Sequence, residues 1–82
     1  MATLIRVNGS TKTLPNTNLD TLQAAVGGYI EIVTLADGRL LVIDEEGKCK
    51  GKEINLKANT LYNSRCDVIV GDAVLCNNNE MN

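Results

Sequence analysis

The sequence predicts an α+β fold: a small twisted, mainly antiparallel sheet, or half-barrel, of about five strands with one short helix packed on it. Three observations lead there. Runs rich in Ile, Val and Leu recur along the chain, and the Asn8-Gly9 and Asp37-Gly38 steps between neighbouring runs are hairpin signals. Leu19, Leu22 and Val26 repeat at the spacing of a helix face. Eighty-two residues, 44% hydrophobic and 22% charged, suit one small globular domain, taken as residues 1–76 with a polar flexible tail at 77–82.

The elements follow in order. Residues 4–7 form a first strand, Asn8-Gly9 turns it, and residues 11–14 return along an edge. Pro15 has no N–H for a ladder and ends that strand. The side-chain oxygens of Asn16, Thr17 and Asn18 are placed to cap a helix that begins near Leu19, with Asp20 suited to its positive end. Gly27 closes the helix as a left-handed cap. Residues 29–35 and 39–44 pair through Asp37-Gly38, a turn falls at Glu46-Gly47, and residues 48–52 run extended. Residues 56–62 read as a short polar helix or an irregular segment, and residues 67–76 as a last long strand with a bulge or bend at Gly71-Asp72.

Consecutive apolar residues in Leu40-Leu41-Val42-Ile43 and Val68-Ile69-Val70 send buried side chains to both faces of the sheet. So little helix is expected to leave one face uncovered, so the sheet curls on itself or a second copy covers it. A homo-oligomer is the expectation.

Composition removes several function classes. The formal charge of −2 and a pI near 4.9 provide no electrostatic footprint for a nucleic-acid polymer. Two Tyr, no Phe and no Trp leave few stacking platforms, and the absence of His removes the usual triads, His-based zinc sites and a histidine base. The cysteines, Cys49, Cys66 and Cys76, are odd in number and widely spaced, which points to reduced thiols. The first residues turn polar too soon for a signal peptide, and no apolar run approaches the roughly 18 residues of a membrane span. The expected location is cytoplasmic, without a membrane, metal or cofactor.

The most distinctive stretch is Leu22-Gln23-Ala24-Ala25-Val26-Gly27-Gly28-Tyr29-Ile30-Glu31. With Asp44-Glu45-Glu46-Gly47, Asn55 and Gly71-Asp72 it resembles a small family known as domain of unknown function three-eight-four-six. Asp44 stands where Asn is common in that family's acidic turn. The resemblance spans roughly residues 4–74. It implies a phage or mobile-element origin and a compact fold of helix and sheet, and brings no established activity with it.

Individual residues nominate sites. Val26-Gly27-Gly28 falls at a helix C-terminus, where the dipole is negative, so it reads as a cap and a close approach rather than a phosphate loop. Glu31 interrupts an apolar strand; if buried it requires a partner, and if exposed it is solvated. Asp44-Glu45-Glu46-Gly47 reads as a solvated turn, since it does not reproduce a calcium loop. Lys48, Lys50 and Lys52 alternate with Cys49 and Gly51, so an extended chain sets all three on one side as a basic stripe, either an anion grip or protection of an edge. Cys49 between two lysines has no accompanying base or oxyanion hole and is not taken as catalytic.

These readings converge on a non-enzymatic accessory protein that binds and neutralises a host component, with an anti-defence role implied by the mobile-element resemblance. The partner is a host protein or a small anionic nucleotide. For the nucleotide, Lys48, Lys50 and Arg65 supply cations, Tyr29 or Tyr62 a ring, and Asn55 hydrogen bonds; Glu31 completes the candidate partner-binding set. The alternative is a structural or regulatory oligomerisation module without a small ligand. An enzyme would have to rest on a carboxylate pair, Glu31 with Asp44.

Overall fold

The computed structural model describes residues 2–62 and 67–80. Its core is an open antiparallel sheet built from β1 (Thr3–Ile5), β2 (Thr11–Thr13), β3 (Ile30–Thr34), β4 (Leu40–Asp44) and β5 (Ala73–Cys76), in the spatial order β2-β1-β5-β4-β3. Helix α1 (Leu19–Val26) leads from one edge of the sheet to the other, and α2 (Leu56–Tyr62) joins β4 to β5. The α+β class, the antiparallel pairing and the strand number follow the sequence expectation. The sheet does not close on itself.

Both hairpins form where their turn residues predict. At the first, Gly9 donates to the Arg6 carbonyl at 2.9 Å and the Asn8 side chain accepts from the Ser10 amide at 2.9 Å. At the second, the Leu35 amide donates to the Arg39 carbonyl at 2.8 Å, and Asp37 accepts from both the amide and the guanidinium of Arg39. The contact with Arg39 holds the Asp37 carboxyl below its usual range, the Arg39 amide being the largest influence. Helix α1 starts at Leu19 as predicted, but Asn18 makes no side-chain cap; Asn16 turns back to accept from the Asn18 amide instead.

The two-sided burial read from β4 is realised. Leu40 and Val42 pack beneath α1 with Leu4, Leu22, Val26 and Val74, whereas Leu41 packs on the opposite face with Leu35, Ala58, Ile69 and Ala73. The expectation of one uncovered face is corrected here. Residues 56–62 are a true helix, and α2 together with the segment around Ile69 supplies the second layer within one chain. Leu19, expected on the buried stripe of α1, is exposed; the helix is held by Leu22 and Val26.

Two further expectations are corrected. The last strand covers only residues 73–76, because the chain before it pairs elsewhere. The Asn55 amide donates to the Ile69 carbonyl and the Gly71 amide to the Glu53 carbonyl, so residues 53–55 and 69–71 form their own short antiparallel contact around an Ile54–Val70 bridge. Gly71, at φ 76°, then swings the chain into the main sheet, a conformation that disfavours a side chain. Residues 48–52 are not extended either. Lys50 donates to the Glu46 carbonyl, Gly51 to Lys48 and Lys52 to Gly47, which winds the segment into successive turns. Beyond β5, residues 78–80 form a 3-10 turn.

Candidate functional site

The stretches that carry the family resemblance meet at one corner of the molecule. Helix α1 ends in Gly27, whose φ of 86° lets its amide, and less closely that of Gly28, return to the Gln23 carbonyl. Two further carbonyls at this negative end of the helix are met by lysines. Lys52 Nζ lies 2.6 Å from the Val26 carbonyl oxygen and Lys50 Nζ lies 3.2 Å from that of Gly27. Both ammonium groups also donate to one carboxylate oxygen, Oδ2 of Asp44, at 2.8 Å from Lys50 and 2.7 Å from Lys52.

Asp44 is the hub. It closes β4 with its side chain 1% exposed, and its other oxygen accepts from the Glu46 amide at 2.9 Å. Burial alone would raise its pKa, but the hydrogen bonds from Lys50, Lys52 and the Glu46 amide outweigh burial and hold the carboxyl well below the usual carboxylate range. The same contact raises the pKa of Lys50. A neutral Asn at this position would leave two ammonium groups without a counter-charge.

The double glycine follows from this packing. A Cβ on Gly28 would sit 2.6 Å from Lys50 Nζ and 3.0 Å from Asp44 Oδ1, so a side chain there would displace the ion cluster from the helix end. On its other side the corner is tied down by Asn55 and Asp72. Asn55 is fully buried; its Nδ2 donates to the carbonyls of Ile5 and Gly71, both at 2.9 Å, and its Oδ1 accepts from Ala58, capping α2. Asp72 accepts from the Val7 amide at 3.0 Å.

The nominated residues fall into separate places. Tyr29 and Lys50 come together: with Gln23, Gly28 and Glu46 they line a shallow cleft of about 260 Å³, from which Tyr29 protrudes 68% exposed. Glu31 and Lys48 also come together, on the α2 side, lining with Cys49, Asp67 and Val68 a second cleft of about 270 Å³. Glu31 is exposed, which answers the alternative left open for it in favour of solvation. Lys48 pairs with Asp67. Asn55 presents no surface to a ligand, and Arg65 lies outside the described residues. The lysine stripe is corrected by the turns, which send Lys48 to Asp67 and Lys50 with Lys52 to Asp44. Strand register places Ile30 opposite Asp44 and Glu31 opposite Ile43, so Glu31 and Asp44 project from opposite faces of the sheet.

Sequence reasoning missed Lys52 as a partner of the helix end and Asp44 as a buried charge. One signal was available: Asp44 continues a run of four apolar residues on a strand buried on both faces, where a carboxylate requires cationic partners. Among the described residues, no group of three or more Cys, Asp or Glu side chains is placed to hold a metal ion, and no helix is long and apolar enough to cross a membrane.

A family model described as a domain of unknown function, DUF3846, matches residues 2–82. The chain belongs to the DUF3846 family. No curated protein and no solved structure matches it. Within this DUF3846 chain the double-glycine corner, the acidic turn, Asn55 and Gly71-Asp72 are therefore parts of one structural node, brought together from four separate stretches of sequence.

Proposed function

We propose that this DUF3846 protein is a non-enzymatic binding protein that docks a protein partner on the rim around Tyr29. In keeping with the mobile-element origin implied by the sequence resemblance, the partner is a host protein that it neutralises, in the host cytoplasm. The observation that carries this reading is Tyr29 itself. A large ring stands 68% exposed on a corner whose backbone is held by the Asp44 cluster, so it is offered to a partner with little ordering left to lose. Lys50 and Glu46 beside it add polar groups of both signs, the character of a protein-binding rim.

The engagement of the lysines supports a protein over a nucleotide messenger. Lys48, Lys50 and Lys52 each answer a carboxylate, which leaves no concentrated positive field for a phosphate at either cleft. The reading is tested by capturing a host protein from a lysate on the immobilised wild-type chain and measuring its affinity after purification. Tyr29→Ala is expected to weaken that complex at least tenfold, about 1.4 kcal/mol, while Leu56→Ala, at an exposed position on α2, leaves it unchanged. Equal binding by Tyr29→Ala, or calorimetric binding of a nucleotide in place of any protein, overturns the proposal.

A further inference from the structure

The two edges of the sheet differ in kind. Strand β2 is three residues long, carries Lys12 and is followed within two residues by Pro15, features that discourage another strand from joining. Strand β3 is the five-residue run Ile-Glu-Ile-Val-Thr, without lysine or proline, and its Ile32 is 46% exposed. Its hydrogen-bonding phase is set by its neighbours. The Glu45 amide donates to the Tyr29 carbonyl at 2.9 Å and the Leu35 amide to the Arg39 carbonyl at 2.8 Å, so the odd-numbered residues of this strand face β4. Ile30, Ile32 and Thr34 therefore direct their N–H and C=O groups outward. No hydrogen bond from the described residues meets those groups.

We propose that β3 pairs antiparallel with β3 of a second copy of this chain, about a two-fold axis at Ile32. The register follows from the sequence of the strand. Centring the axis on Glu31 sets two carboxylates directly opposite at the closer, non-hydrogen-bonded position, which is repulsive. Centring it on Val33 sends Ile30 past the end of the partner strand and leaves its outward groups unpaired. Centring it on Ile32 places Ile32 against Ile32 and Ile30 against Thr34. Every outward N–H and C=O of the strand is then satisfied, and Glu31 faces Val33 instead of itself.

The geometry also explains why the assembly would close. An antiparallel pair of this kind has its two-fold perpendicular to the sheet, so both α1 helices lie on the same face with the paired Ile32 side chains between them. Ile32 shares the face of Val42, beneath α1, and its exposure is relieved by its own copy. Only the lysine-bearing β2 edges remain at the ends of the joined sheet, and these do not propagate it. This inference does not rest on the docking proposed at Tyr29, and it is measured on the isolated chain.

The experiment combines sedimentation with amide exchange on the purified wild-type chain. Between about 10 and 500 µM, the range of small strand-pairing interfaces, the mass is expected to rise from 8.8 kDa toward twice that value. In parallel, the amides of Ile30, Ile32 and Thr34 are expected to gain about tenfold protection from hydrogen exchange at the upper concentration. Ile32→Lys sets two like charges opposite each other and is expected to stay monomeric; Ile32→Thr, which keeps the β-branch, serves where the lysine variant does not fold and is expected to weaken the dimer about tenfold. A chain that stays at 8.8 kDa throughout overturns the proposal. So does a dimer whose three outward amides exchange as fast as in the monomer, or one unchanged by Ile32→Thr.

Discussion

Replacing Asp44 with Ala is the sharpest test of how the motif corner is held. The substitution removes a carboxylate that is 1% exposed and strands two ammonium groups, Lys50 at 40% and Lys52 at 24% exposure, against the end of α1. Breaking a fully buried pair costs about 3–5 kcal/mol, and the solvent that reaches both lysines reduces that, giving about 2–3 kcal/mol for this site. In a domain of this length the loss corresponds to a fall of roughly 10–20 °C in Tm. Urea denaturation followed by circular dichroism measures it, as a lower midpoint at an unchanged slope. The pH dependence has a definite sign. Because the folded-state pKa of Asp44 is lowered, its contribution is fully present above the ordinary carboxylate pKa of about 4 and is lost as pH falls through the lower folded value. The wild-type chain should therefore lose stability in acid by a term that Asp44→Asn lacks. A loss below about 0.5 kcal/mol for Asp44→Ala, the size of an ordinary surface change, would refute the argument, as would identical acid profiles for wild type and Asp44→Asn.

Two other perturbations test the same corner from different sides. Asn55→Ala leaves the Ile5 and Gly71 carbonyls without their buried donor and α2 without its cap, and should cost about 3 kcal/mol; Asn55→Asp should cost more, since a carboxylate would face the same two carbonyls. Equal stability of wild type and Asn55→Asp in urea would contradict it. Gly28→Ala should cost about 1–2 kcal/mol by pushing Lys50 and Asp44 off the helix end, and combining it with Lys50→Ala should recover part of that loss in a double-mutant cycle. Additive losses would show that the glycine is required for another reason.

The parts of the fold that could be read from the chain are those decided by neighbours in sequence. Asn8-Gly9 and Asp37-Gly38 turn because of their own backbone preferences, and α1 begins at Leu19 and ends at Gly27 because its apolar spacing and its left-handed cap are local. The two-sided burial of β4 was legible too, since four apolar residues in succession leave no face for water. The second face of that strand is covered within the chain, by α2 and the segment around Ile69. Residues 56–62 carry Ala58, Leu61 and Tyr62 at the i, i+3, i+4 spacing of a helix face, and these pack on the second face with Asn55 capping α2; the stripe is short and Leu56 turns outward, so the two leucines do not mark it.

The candidate site was legible in its members and not in its arrangement. Tyr29 and Lys50 do share a cleft, but Asn55 is an internal brace and Glu31 faces solvent. The lysines misled because alternation along an extended chain and successive turns are equally open to a segment rich in Gly and Lys. Which one forms was settled by charge: a buried Asp44 draws Lys50 and Lys52 inward, and the helix end beside it accepts what hydrogen bonds they have left.

The amino-acid sequence by itself determined the turns, the first helix, the class of the fold and the family, because each rests on short-range sterics or on periodic hydrophobicity. Only the tertiary structure decided that the acidic turn would neutralise two lysines at a helix end, that Gly28 would have to be bare and that the β3 edge would remain open. Those outcomes depend on distances between groups far apart in the chain. Electrostatic pairing and steric exclusion act through space, and their partners exist only once the sheet has been assembled.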